Sequence, residues 1–374
     1  MVYLDNSATT KPSPKAVEYI NNALTEVWGN PSSLYRLGMD AEMLVSDARE
    51  CIARSINATE NEIIFTGSGT EANNTAIMSA MHKKAQGNKI ITTAIEHPSV
   101  LETVKRLESQ GFEVVRIGTD SNGIIDMDML ENELDSKTVL VSVMLVNNEI
   151  GSIQPIKEIS RLIKAKSPRA IFHCDAVQAY GKMPISVKEL GVDLLSASGH
   201  KIHGPKGIGF LYCKKGVAIK PFITGGGQER GMRSGTESVP LIAGIYGAVQ
   251  GIGDIRKKLE YIKELNDYAK NAFSESGIAV INSPDDALPY ILNVSVMGFR
   301  SETLLHFLES RGIYVSSGSA CAKGEQSHVL SQIGLDRKRI DSALRLSFSS
   351  ENKKEDIDLC ITALKDAVAS LKRA

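Results

Sequence analysis

The feature that most constrains this 374-residue chain is an alternation of short apolar runs and amphipathic stretches through its first half and somewhat beyond. Apolar runs fall at 62–66, 89–95, 113–117, 138–146, 170–175, 192–198 and 209–213. Between them lie stretches of helical periodicity, such as 71–84, 98–110 and 156–166. Strands that alternate with helices are joined by crossovers, which lay the strands parallel and cover the sheet with helices. The expected fold is therefore α/β, with a mainly parallel seven-stranded sheet between helices. Past about residue 256 the texture changes. A charged helical pattern at 257–274 leads to an apolar run at 290–296, a helix at 302–311, strand candidates at 312–316 and 343–349, and a last helix at 355–371. This reads as a smaller α+β unit. The predicted division is 15–255 for the large domain and 1–14 plus 256–374 for the small one.

Charge narrows the partners. The 43 basic and 44 acidic residues leave a net charge of −1, which gives no electrostatic reason to expect nucleic acid or an anionic membrane. The five cysteines, Cys51, Cys174, Cys213, Cys321 and Cys360, are odd in number and scattered. Reduced thiols are expected, not a disulfide framework. The start, Met1-Val-Tyr-Leu-Asp-Asn6, reads as a short strand and lacks the charged and apolar regions of a signal peptide. No stretch has the length of a membrane span. The expected location is the cytoplasm.

Several apolar runs end in unusual polar residues. Thr66 is followed by Gly67-Ser-Gly-Thr-Glu71, Ile95 by Glu96-His97, Val146 by Asn147-Asn-Glu149, and Phe172 by His173-Cys-Asp175. Leu195 runs into Ser196-Ala-Ser-Gly-His-Lys201. In open α/β sheets, ligands bind outside the carboxyl ends of the strands. The pattern would thus gather Thr70, His97, Asn147, Asp175, His200 and Lys201 around one cleft. Any one of these taken alone reads as a turn or cap residue. The Gly67–Thr70 loop before a helix suits a phosphate through free backbone N–H groups, but taken alone it reads first as a simple strand–helix turn. It has no Gly-Lys-Ser/Thr pair and is too short for a dinucleotide fingerprint. Asp175 and Lys201 make a sharper pair. A strand-end aspartate can hold a pyridinium nitrogen protonated, and a lysine can form a Schiff base. His200 and His203 have no carboxylate or thiol at metal-ligand spacing, so no metal is expected.

The segment Ser198-Gly-His-Lys201-Ile-His-Gly-Pro-Lys-Gly207 closely resembles the cofactor-lysine segment of cysteine desulfurases, pyridoxal-phosphate (PLP) enzymes of fold-type I in the class V aminotransferase-like group. The resemblance covers nearly the whole chain. Similar motifs follow in family order: Leu4-Asp-Asn-Ser-Ala-Thr-Thr10, Asn30-Pro-Ser-Ser33, Gly69-Thr-Glu-Ala-Asn73, Glu96-His97, Val146-Asn-Asn-Glu-Ile-Gly151, Asp175-Ala-Val-Gln178, Gly225-Gly-Gly-Gln-Glu-Arg230 and Arg233-Ser-Gly-Thr236. Last comes Ser316-Ser-Gly-Ser-Ala-Cys321, which resembles the NifS/IscS-type branch and not the SufS-type branch. The resemblance implies that Lys201 holds PLP as a Schiff base, Asp175 pairs with the ring nitrogen and Gln178 bonds the phenolic oxygen. It further implies that His97 stacks on the ring and helps move protons, while Gly69, Thr70, Ser198 and His200 hold the phosphate. Thr236 is expected to reach the phosphate of a neighbouring subunit in a homodimer. Asn147 and Arg345 are expected to bind the substrate carboxylate; without the resemblance, Arg345 in its alternating strand reads as an ordinary exposed charge.

The reaction implied is removal of sulfur from L-cysteine, giving L-alanine and a persulfide on Cys321. Lys201, when neutral, is the expected base. Cys321 sits in a small, polar segment, the setting of a reactive thiol, whereas the other four cysteines read as buried structural thiols. The stretch after Cys321 is shorter than in the typical housekeeping member, and the chain ends soon after its last helix. The sulfur acceptor therefore stays open between an iron–sulfur scaffold, a tRNA-thiolation enzyme and other sulfur pathways. Two other readings stay open: another class V enzyme, such as an aminotransferase or selenocysteine lyase, and a non-catalytic sulfur carrier. The first would not need Cys321, and the second would tolerate loss of Lys201.

Overall fold

The computed structural model describes residues 1–317 and 326–372. Its strands, in chain order, are β1 (Val2–Tyr3), β2 (Ile63–Thr66), β3 (Lys89–Thr93), β4 (Glu113–Ile117), β5 (Thr138–Met144), β6 (Ile171–Asp175), β7 (Leu194–Ser198), β8 (Gly209–Cys213), β9 (Val280–Ile281), β10 (Ile291–Ser295), β11 (Ile313–Tyr314), β12 (Ser316–Ser317) and β13 (Ala343–Ser347). Seven of them form one sheet in the order β2-β8-β7-β6-β5-β3-β4. The strands run parallel except β8, which is antiparallel to its neighbours β2 and β7.

The apolar runs lack a polar alternate because both faces of the sheet are covered. Ile64, Ile90, Leu140, Ile171, Leu194 and Leu211 enter one core with the helices Gly69–Met78 and Pro98–Glu108. Their sequence neighbours Phe65, Ile91, Val141, Phe172, Leu195 and Phe210 enter the opposite core, which includes the helices Arg36–Ser55, Ile156–Lys166 and Val239–Gln250. Adjacent strand residues point to opposite faces, so a strand buried on both sides has to be apolar throughout. The helices Pro14–Thr25, Arg36–Ser55 and Val239–Gln250, which the alternation does not single out, pack against one another on this second face.

A second sheet, β12-β13-β10-β9, is antiparallel throughout. The helices Ile255–Ser276, Ser301–Glu309 and Lys354–Ser370 pack around it. The strand expected at 312–316 is two strands separated by Val315. The first pairs in parallel with β1, Val2 opposite Ile313, and the second pairs with β13, Ser316 opposite Arg345. One short segment thus changes partner between the N-terminus and β13. The runs expected at 89–95 and 138–146 stop as strands at Thr93 and Met144, and the residues just beyond turn into the cleft. The helix expected at 71–84 begins earlier, at Gly69, and tightens into a 3₁₀ turn at Ser79–Lys83. Among the described residues, no helix is long and apolar enough to cross a membrane.

Candidate active site

The carboxyl ends of β2, β3, β5, β6 and β7 open on one edge of the large sheet, and β8 begins there because it runs the other way. This brings Gly209 against the glycine loop. A Cβ on Gly209 would lie 2.6 Å from the carbonyl oxygen of Ala197 and 2.8 Å from the carbonyl carbon of Ser68, and one on Gly69 would lie 2.7 Å from Val177 Cγ2. Three chain segments therefore approach as closely as backbone allows. Ser68 caps the helix that follows, accepting from Glu71 N–H at 3.1 Å. The backbone N–H groups of Gly69 and Thr70 have no acceptor among the described residues, and the positive end of the helix adds to them. Buried Ser198 and half-buried His200 lie at the end of β7 beside this loop. The cradle fits a phosphate.

Asp175 ends β6 and is buried. Its carboxylate accepts from Val177 N–H at 2.9 Å and from the Asn73 side-chain amide at 2.7 Å. Asn73 also donates to Ser99 Oγ at 2.9 Å, and that hydroxyl meets His97 Nδ1 at 2.8 Å. Because Ser99 N–H donates to Nδ1 at 3.1 Å, the neutral ring carries its proton on Nε2. Burial, together with the neighbouring Lys201 and His328, lowers the His97 pKa against the opposing pull of Asp175. Asn73 and Ser99 thus couple the two residues expected to face a cofactor ring. The sequence shows Asn73 as the last residue of the Gly69–Asn73 motif, one helical turn beyond Gly69, without marking this role. Asn73 Oδ1 is buried without a partner among the described residues, as expected of a wall that awaits a ligand.

Lys201 follows β7 in a 3₁₀ turn. Its Nζ donates to the carbonyls of Ser7 and Ala8, at 2.5 and 2.8 Å. Gln178 Nε2 donates to the same Ser7 carbonyl at 3.0 Å, and buried Lys182 donates to Gln178 Oε1 at 2.9 Å. Ser7, Ala8 and Lys182 are not distinguished by the sequence pattern; two of them act through backbone carbonyls, which leave no mark in side-chain identity. His200 Nδ1 meets Thr9 Oγ1 at 3.2 Å, and His203 Nδ1 donates to the Lys11 carbonyl at 3.0 Å, so the N-terminal segment engages this whole turn. Burial, then Lys201, Lys206 and Lys182, lowers His200 to about 4.

Arg345, in β13, is buried and bonds Asp5 Oδ1 and the Asn148 carbonyl, each at 2.9 Å. Its Nε is buried without an acceptor among the described residues. Asn147 is fully buried, and its Oδ1 accepts from the N–H groups of Glu149 and Ile150 while its Nδ2 donates to the Ile95 carbonyl. Here Asn147 holds the turn that presents Asn148 to Arg345. Two buried glutamates, both in quoted motifs, complete the surroundings. Glu96 accepts from Thr93 Oγ1 and Met144 N–H, and burial raises it to about 8. Glu149 accepts from Ser327 Oγ, and burial raises it to about 7 against the pull of Ser327 and Arg345.

Thr236 is exposed on a loop tied to the glycine loop by Arg233, whose Nε donates to Glu71 Oε1 at 2.9 Å. Cys321 lies outside the described residues. Cys174, Cys213 and Cys360 are buried thiols whose pKa burial raises, in the last two to about 12. Cys51, expected to be buried as well, is half-buried, on the flank of the Arg36–Ser55 helix.

The chain belongs to the aminotransferase class-V family, whose model matches residues 2–360. It is 43% identical to a protein of Clostridium botulinum named cysteine desulfurase IscS, over 97% of this chain and 93% of that one. Among solved structures it is similar to a NifS-like protein, with a TM-score of 0.94, 38% identity, and coverage of 99% of this chain and all of that one. It is also similar to SspA solved in complex with cysteine, with a TM-score of 0.84, 33% identity, and coverage of 93% and 99%. These neighbours share the fold-type I architecture of PLP-dependent enzymes, with the mainly parallel seven-stranded sheet described above.

Proposed function

We propose that this chain is a PLP-dependent cysteine desulfurase that converts L-cysteine to L-alanine and leaves the sulfur as a persulfide on Cys321. The balance is simple: an enzyme thiol and the substrate thiol become a persulfide, and the substrate β-carbon takes the hydrogen. The observation that carries the reading is the convergence of Lys201, Gln178 and the Asp175–Asn73–Ser99–His97 chain beside the Gly69–Thr70 cradle, in a chain of this family.

The residues present fit the cofactor. Gly69, Thr70, Ser198 and His200 would hold its phosphate, Asp175 its ring nitrogen, Gln178 its phenolic oxygen, and Lys201 its aldehyde carbon. Bound there, PLP supplies an electron sink for a carbanion at the substrate Cα. The chain's own groups do the rest. Lys201 Nζ moves the proton at Cα. Asp175, fixed by two donors, would face the ring nitrogen with its carboxyl group. His97, kept neutral by burial, presents its ring face and an Nε2 proton to the cleft. The Nε–H of Arg345 offers a donor to the substrate carboxylate, with Asp5 and Asn148 fixing the guanidinium plane. Asn147 acts there by holding the turn. Cys321 takes the sulfur.

We further propose that the enzyme is a homodimer, with Thr236 reaching the neighbouring phosphate cradle. Leu24, Trp28, Leu34, Tyr35, Met39 and Met43 are exposed within one stretch of chain on and between the helices Pro14–Thr25 and Arg36–Ser55, a concentration of exposed apolar side chains that suits an interface. The large unit would span 15–255 and the small unit 1–14 plus 256–374. The acceptors in view are an iron–sulfur scaffold and a tRNA-thiolation enzyme, reached by protein contact in the cytoplasm.

The test is direct. Supplied with PLP and L-cysteine, the protein is expected to turn yellow, release alanine and carry a labelled sulfur on Cys321. Lys201→Ala should lose both colour and turnover, which separates an enzyme from a passive sulfur carrier. Cys321→Ser should stop persulfide and alanine formation. A variant that still makes alanine at the parental rate would identify a different class V reaction.

A further inference from the structure

Lys182 is a lysine almost without contact with solvent, 5% exposed, and the sequence pattern gives it no part. It follows Gln178 by four residues in a run of turns, and its Nζ donates to Gln178 Oε1 at 2.9 Å. No carboxylate lies within ion-pair distance of it among the described residues. Its other neighbours are the Tyr290 ring, 5.9 Å away, and the cations Lys201 and Arg345. The cleft beside it is also lined by His203, Lys258 and Glu351. A buried lysine with so little compensation is costly, and here it is spent on a single side-chain amide.

That amide matters because its two ends are not equivalent. A side-chain amide is nearly symmetric in shape, so only its partners decide which end is oxygen. An ammonium is a donor with no acceptor capacity. With Lys182 Nζ on one side, that side has to be the oxygen, and Nε2 has to point to the Ser7 carbonyl, which Lys201 Nζ also contacts.

We propose that Lys182 is a positioning residue: it fixes the Gln178 amide so that its N–H donors, and not its oxygen, face the cofactor side of Lys201. This rests on the reading that Gln178 donates to the phenolic oxygen of PLP. The chain of contacts is Lys182 Nζ, Gln178 Oε1, Gln178 Nε2, the Ser7 carbonyl and Lys201 Nζ. Burial and the two neighbouring cations lower Lys182 to about 7. Once neutral it can accept as well as donate, and the constraint on the amide relaxes.

The test is a visible-absorbance pH titration of the PLP-loaded enzyme, which needs no turnover. Lys182→Met removes the donor and the charge at similar volume. It is expected to raise the pH midpoint of the cofactor band by about one unit, because an amide turned to face the cofactor with its oxygen favours the protonated chromophore. Lys182→Gln keeps a neutral donor and is expected to restore most of the parental midpoint. In a Gln178→Leu background, where no amide remains to orient, Lys182→Met should shift the midpoint no further. A shift of equal size in both backgrounds would show that Lys182 acts through space alone and overturn the proposal, as would an unchanged midpoint in the single variant. If Lys182→Met does not fold, the proposal rests on Lys182→Gln in the two backgrounds: a midpoint equal to the parent's with Gln178 present supports it, and a raised one overturns it. Absence of any cofactor band in the unmodified protein would instead sink the PLP reading itself.

Discussion

Glu96 sits between a hydroxyl and a backbone N–H, with its second oxygen buried and without a partner among the described residues. Its carboxyl is raised to about 8 by burial, so the folded chain holds that proton more tightly than the unfolded chain does. Stability contributed by the protonated form is complete below the ordinary carboxylate range and is lost as pH rises toward 8. Glu96→Gln removes the titration. Unfolding midpoints of the parent are expected to fall between about pH 5 and about pH 8, while the variant falls less and is more stable at pH 8 by roughly 2–4 kcal/mol. Parallel profiles from calorimetry would contradict this. Much of the site at this scale was legible beforehand: His97, Asp175 and Lys201 announce themselves as polar residues at the ends of apolar runs. Ser99, Asn73 and Lys182 do not, because their value lies in contacts set by folding. Ser7 and Ala8 contribute carbonyls, which every residue carries.

Between elements, the tightest demand is made by the glycine loop and β8. Gly209→Ala would place a methyl 2.6 Å from the Ala197 carbonyl and 2.8 Å from Ser68 backbone, neither of which can move aside alone. A loss of about 1–3 kcal/mol in urea unfolding is expected, with a larger loss of PLP affinity than of secondary structure by circular dichroism. A second fastening holds the loop that carries Thr236. Glu229 and Arg230 both have positive φ, 48° and 56°, which only the surroundings can sustain. They are sustained by a buried pair: Arg49 clasps both oxygens of Glu229 at 2.7 Å, and Phe65 N–H adds a third bond. Arg49→Leu leaves that carboxylate buried with one donor and is expected to cost about 3–5 kcal/mol, with part recovered in the Arg49→Leu/Glu229→Gln double variant. Sheet strands were readable because burial on both faces makes them apolar. The antiparallel course of β8, which brings Gly209 to the site, left no such trace, and neither did the change of partner at Val315.

At the scale of the molecule, the exposed apolar surface around Trp28 gives the proposed dimer an optical probe. Trp28 is the chain's single tryptophan and is 62% exposed in one chain, and Leu34 beside it is 97% exposed. On assembly the emission of Trp28 should shift to the blue, and Leu34→Glu with Met43→Glu should give a monomer by sedimentation, with red-shifted emission and weakened cofactor retention. Emission that is the same in parent and variant would place the interface elsewhere. The three-layer arrangement was legible from the alternation alone. The assembly surface was not, because the helices Pro14–Thr25 and Arg36–Ser55 lie outside that alternation.

The first ten residues close the site, yet nearly all their partners are far along the chain: Lys201 and Gln178 for Ser7, Tyr314 for Leu4, Ser347 for Asn6 and Arg345 for Asp5. Residues made before the large sheet are thus used after it. A nascent chain halted before β13 can fold its large sheet but has no strand to receive Asp5, so competence must await the synthesis of β13. Stalled chains ending at residue 330 should resist protease across the sheet and stay colourless with PLP.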